Sequence, residues 1–109
     1  MRVLNFIVDG QILKQDPNCD FSNMVPGSDK YIKAKFDFSP EWQTVTKVAA
    51  FWSRMGTEYP PQLIENNGVA CYIPAEALES KYYKIQVIGK KQDGTTIKTN
   101  KLEICQNGG

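Results

Sequence analysis

The 109-residue chain has no histidine, only three cysteines, and no excess of either charge: thirteen basic residues stand against twelve acidic ones. Without histidine there is no Ser-His or Cys-His pair, no imidazole base and no imidazole metal ligand. Cys19, Cys71 and Cys105 are far apart, so none has a neighbour at zinc-knuckle spacing. Their odd number argues against a secreted disulfide framework. Cys71 lies in an apolar run and Cys105 ends one, so both are expected as buried or half-buried thiols. A strongly basic face, the electrostatic footprint of nucleic-acid or anionic-membrane binding, is missing too. Lys30, Lys33 and Lys35, then Lys81 and Lys84, then Lys90 and Lys91, are each interrupted by acids or aromatics and read as solvated strand faces.

Long apolar runs are also lacking. Nothing approaches the roughly 20 residues of a membrane-spanning helix. The apolar start, Arg2 to Val8, is broken at Asp9-Gly10 too early for a signal peptide. A soluble chain made in the cytoplasm is the expectation. Phosphate-binding glycine motifs and calcium-loop spacing are absent. Glu76 and Glu79 on one turn, and Asp93 beside Gly94, read as exposed turn acids rather than an acid–base pair. No enzyme activity, cofactor or metal is expected.

What is present is alternation. Ile32, Ala34, Phe36 and Phe38 share one face of a strand whose other face carries Tyr31, Lys33, Lys35 and Asp37. Asp9-Gly10 marks a hairpin with a returning strand at Gln11 to Lys14. Residues 15–29 read as a long connection with one short strand around Cys19 to Ser22. Ser39-Pro40-Glu41 suits a capped helical or 3₁₀ turn, with Trp42 plugging the sheet edge. Further strands are expected at Lys47 to Arg54, Gln62 to Glu65, Val69 to Ile73, Tyr83 to Ile88 and Thr95 to Cys105. Turns are expected at Asn66-Asn67-Gly68 and Gln92-Asp93-Gly94, and a proline-led helical turn at Pro74 to Leu78.

Seven to nine short strands at about ten-residue spacing, one or two single-turn helices and no long helix predict an all-β fold. The expected architecture is an antiparallel β-sandwich of immunoglobulin-like or jelly-roll-like form. Residues 1–105 are expected to form a single domain, followed by a flexible tail at 106–109. Surface scaling gives about 6,100 Å² exposed when folded against about 17,800 Å² unfolded, enough burial for one core without staples. Two tryptophans, five tyrosines and five phenylalanines supply bulk for that core. Those near strand ends could instead stack on sugars or anchor a protein interface. Trp52, Tyr59, Tyr82 and Tyr83 are the contact candidates.

Phe36-Asp37-Phe38-Ser39-Pro40-Glu41-Trp42, followed by Lys47-Val48-Ala49-Ala50-Phe51, then Ile73-Pro74-Ala75-Glu76-Ala77-Leu78 and Thr99-Asn100, forms a series. In this order the segments resemble a small β-sandwich module of tailed-bacteriophage baseplate, tail-fibre and head-fibre proteins. The resemblance spans roughly residues 31–105. Two features depart from it: the sequence stops at Gly109, where such modules are often followed by a coiled, collagen-like or receptor-binding region, and Met55 to Pro61 makes a longer insert. The resemblance implies a non-enzymatic virion structural protein, made in the bacterial host cytoplasm, that docks on a tail, baseplate or capsid surface. Its partners would be other virion proteins or further copies of itself, with no nucleic acid or membrane. Two alternatives remain open: a small phage-encoded inhibitor of a host defence or replication protein, and a carbohydrate-binding module.

Overall fold

The computed structural model describes residues 2–21, 31–64 and 69–105. The expected turn at Asn66-Asn67-Gly68 and the tail at 106–109 lie outside them. The described residues carry nine strands: β1 (Arg2–Asp9), β2 (Ile12–Gln15), β3 (Ile32–Phe38), β4 (Thr46–Ser53), β5 (Gln62–Ile64), β6 (Ala70–Tyr72), β7 (Tyr82–Lys90), β8 (Thr96–Lys98) and β9 (Leu102–Cys105). Among the described residues, helical structure is limited to a 3₁₀ turn at Pro40–Trp42 and a single turn, α1, at Ala75–Leu78. The chain is an all-β sandwich. One sheet runs β2-β1-β3-β6; the other runs β5-β4-β7, with β8 and β9 sharing the far side of β7.

Every strand pair is antiparallel except β1 and β3, which run parallel from Arg2 opposite Ile32 to Val8 opposite Phe38. A parallel pair cannot be joined by a tight turn, and the long connection after β2 gives the chain the length to return to its starting end. That connection holds no strand in its described part. Instead Asp16 N–H donates to Asn5 O (3.0 Å), and Asn5 N–H donates to the Cys19 thiol (3.3 Å). These bonds occupy the edge of β1 that the short β2 leaves uncovered.

Alternation sets which side chains meet between the sheets. Leu4, Phe6 and Val8, then Ile32, Ala34 and Phe36, point inward from the first sheet. Ala49 and Phe51, then Tyr83, Ile85 and Val87, point inward from the second. Phe21, Phe6, Phe36, Phe38 and Trp42 form a continuous aromatic ladder, with neighbouring centroids 5.3–5.6 Å apart. Rings at such spacing contribute beyond their buried area.

Of the four segments that carry the resemblance, Lys47 to Phe51 lies in the central strand β4 and the other three build joints of the sandwich. Trp42 is fully buried and its indole N–H donates to Gly10 O (2.8 Å), tying the 3₁₀ turn to the first hairpin. Ser39 occupies the N-cap position but does not cap. Its hydroxyl instead donates to Glu41 Oε1 (2.7 Å) and accepts Gly10 N–H (3.0 Å). Gly10, with φ of +60°, therefore sits in the two-residue turn together with Gln11, and the returning strand begins at Ile12, one residue later than expected. Ile73, Ala77 and Leu78 bury the α1 corner.

The last expected strand is broken in two. Lys98 lies opposite Ile88 and Leu102 opposite Ile85, so four steps on one strand face three on the other. One extra residue is a β-bulge, and Thr99-Asn100 is where it falls. Thr99 stays with β7: its N–H donates to Val87 O (3.1 Å), and its hydroxyl accepts Val87 N–H (3.0 Å). Asn100 is turned toward the other sheet. Its Oδ1 accepts Leu13 N–H (2.7 Å) and its Nδ2 donates to Leu13 O (3.2 Å), so the side chain pairs with β2 as a neighbouring strand would.

Candidate functional site

The two outer faces of the sandwich differ. On the first sheet each outward rung pairs an uncharged with a charged group: Val3 with Lys33, Asn5 with Lys35, and Ile7 with Asp37. On the second sheet Leu63, Val48 and Ile88 lie side by side across β5, β4 and β7. Leu63 is 62% exposed. A shallow concavity bordered by Val48, Ile88 and Thr46 adjoins this rung. Four residues along β4, on the same face and past the Ala50–Gln86 rung, comes Trp52, opposite Lys84; Lys84 in turn faces Glu103 of β9. Tyr82 follows at the start of β7.

Cations lie over both outward rings. Lys101 Nζ is 4.4 Å from the Trp52 ring centroid, and the Arg54 guanidinium is 4.2 Å from that of Tyr82. Arg54 also pairs with Glu103 at 3.2 Å, while Lys81 approaches Tyr82 at 5.7 Å. The stems of these long side chains add apolar area around the rings while their charges stay in water. Lys84, Lys98, Lys101, Arg54, Lys81 and Lys90 outnumber Glu58 and Glu103, so the face is basic although the chain is nearly neutral.

Of the four aromatic contact candidates, the structure brings Trp52 and Tyr82 onto this face. Tyr59 is partly buried against the core. The insert after β4 folds back through Ser53 N–H to Thr57 O (2.7 Å) and Tyr59 N–H to Phe51 O (2.9 Å), which sets Tyr59 on the inward side. Its hydroxyl lies 3.5 Å from Ser80 Oγ. Tyr83 is not a surface residue. Parity along β7 puts it in the inward row with Ile85 and Val87, and it is 0% exposed, so it is withdrawn as a contact. Parity corrects Cys105 as well: opposite Tyr82, it is exposed rather than half-buried, while Cys71 is buried as expected. The sequence reading missed Leu63, Val48 and Ile88. Each is an ordinary strand residue, and only cross-strand register makes them adjacent.

No protein-family model, curated protein or solved structure matches this chain.

The Tyr83 hydroxyl is fully buried and has no hydrogen-bond partner among the described residues. Burial, with Cys71 nearby, raises its pKa above the ordinary phenol value; burial alone pushes the Cys71 thiol up to about 12. Leaving a buried hydroxyl unpaired costs about 1–3 kcal/mol. Tyr83→Phe is therefore expected to leave stability unchanged or raise it by about 1 kcal/mol at pH 7, read from urea unfolding midpoints. The folded pKa is raised, so the tyrosine's contribution holds below the unfolded value near 10 and is lost as pH climbs above it. The advantage of Tyr83→Phe should accordingly widen above pH 10. A loss of 1 kcal/mol or more at pH 7 (about that of one broken hydrogen bond) would show that the hydroxyl has a partner.

Proposed function

We propose that this chain is a non-enzymatic docking module of a tailed-phage particle, attached to another virion protein through the outer face of the β5-β4-β7-β9 sheet. The observation that carries the proposal is the contrast between the two faces. The Leu63–Val48–Ile88 rung gives an apolar centre, Trp52 and Tyr82 farther along the same face give aromatic anchors, and lysine and arginine surround them. Interfaces are built this way, with an apolar, aromatic middle inside a polar rim. The basic rim selects a partner surface whose own apolar patch is edged by Asp and Glu, since complementary charge steers encounter and suppresses wrong partners. The phage setting rests on the resemblance carried by Phe36 to Phe51, Ile73 to Leu78 and Thr99-Asn100.

One feature favours a protein partner over the carbohydrate-binding alternative. Lys101 and Arg54 occupy ring faces of Trp52 and Tyr82 that a sugar would need for stacking. Pairing through the first sheet's β2 edge is also disfavoured, because Asn100 already bonds the backbone of Leu13.

Mass spectrometry of purified particles from a phage encoding the chain should detect it as a stoichiometric component. Absence from the particle would overturn the virion placement. In particles assembled with Val48→Glu or Trp52→Ala, occupancy should fall at least tenfold while the isolated protein keeps its melting temperature. Equal occupancy would move the interface to another surface.

A further inference from the structure

β4 places a lysine where a sandwich core calls for an apolar residue. Lys47 is in the inward row with Ala49 and Phe51, opposite Gly89 on one side and Ile64 on the other, and it is 8% exposed. Its ammonium donates to Val45 O at 3.3 Å and lies 5.1 Å from the Phe38 ring centroid. One long hydrogen bond leaves most of its three-donor capacity unspent. Among the described residues no carboxylate comes within ion-pair distance of it. Burial lowers its pKa from the ordinary lysine value, a sign that the surroundings leave the charge poorly compensated.

Lys47 also lines a concavity of about 520 Å³, within the range of small-molecule sites. Phe38 is the half-buried ring of that wall. It stands in the aromatic ladder between Phe36 and Trp42, with Gln43 alongside. Three other charged groups border the space: Asp16, Asp37 and Lys35. Lys35 and Asp37 are outward residues of β3 and exposed to water, where their charges are screened. Asp16 is half-buried, with its Oδ1 accepting Asn18 N–H (2.9 Å), so Lys47 is the one buried charge of the four.

We infer that this cavity is a binding site for a small monocarboxylate borne on an apolar, ring-sized body. The Lys47 ammonium receives the carboxylate, and the Phe38 wall receives the body. A charge-assisted hydrogen bond to a desolvated ammonium is stronger than a neutral one, so the charged group provides both orientation and discrimination. The site is bordered by β1, β3, the 3₁₀ turn and Lys47 of β4 and shares no residue with the docking face, so either can fail without the other.

Phenylacetate and its uncharged isostere phenylacetamide test the inference, by amide chemical-shift titration of the isotope-labelled full chain. Phenylacetate should give saturable shifts at Phe38, Gln43 and Lys47, with affinity at least tenfold above that of phenylacetamide. Lys47→Met should keep the fold, since it replaces a buried charge by an apolar side chain of similar length, and should lose that preference. Lys47→Arg should retain it. No saturable shift with phenylacetate, or equal affinity for acid and amide, would overturn the assignment. If Lys47→Met fails to fold, the acid–amide comparison on the native chain decides alone.

Discussion

Gly89→Ala is expected to destabilise the protein by about 3 kcal/mol, near the top of the usual cost of overpacking a closed core. A methyl group built on Gly89 would lie 2.8 Å from Trp42 Cζ3 and 3.0 Å from Val45 Cγ2. The indole cannot swing aside, because its N–H is held by Gly10 O and its other neighbours are the aromatic ladder and the first hairpin. The glycine is needed for space alone: Gly10, Gly56 and Gly94, not Gly89, are the described glycines with positive φ. Chemical denaturation of Gly89→Ala in the native and Trp42→Phe backgrounds measures this. The smaller ring should remove at least half of the penalty. An equal penalty in both backgrounds would show that Trp42 is not the obstacle.

Asn100→Ala should cost about 2–4 kcal/mol, since it strands both backbone groups of Leu13 and leaves each part-buried without a partner. Its effect should be local as well as global. β2 is held to β1 on one side and to Asn100 on the other, so hydrogen exchange at Leu13 should accelerate more than exchange at Ile85 in the middle of β7. Parallel acceleration at both positions would mean that Asn100 contributes to general stability without fastening the sheets together. Asn100→Ala removes the side chain that joins one lateral edge of the sandwich to the other.

Much of the fold was legible because strand alternation has a period of two. Ile32, Ala34, Phe36 and Phe38 name their own inward face, and the structure buries the first three and half-buries the fourth. Proline-led turns at Pro40 and Pro74 were likewise visible, as was the plugging role of Trp42. Tyr83 was misread because a tyrosine near a strand end has an ambiguous address. One step along β7 exchanges the outer face for the core, and Tyr82 and Tyr83 differ by that step. Lys47 carried the opposite ambiguity: within Lys47-Val48-Ala49-Ala50-Phe51 its charge suggests solvent, yet parity with Ala49 and Phe51 carries it inward.

The sequence alone determined the class of structure and the chemistry it lacks. Alternating short strands gave the all-β prediction that the sandwich bears out. The missing histidine ruled out imidazole chemistry, and the spacing of the cysteines ruled out a local zinc knuckle. Tertiary structure decided everything that depends on which strands become neighbours. Residues as distant as Val48, Leu63 and Ile88 form one apolar rung, and Asn100 pairs with Leu13, only after the sheets assemble. The physical reason is that alternation specifies a face, a local property of the backbone. Pairing order and register are set instead by how two whole sheets bury their inner faces together, down to the space that Trp42 leaves at Gly89.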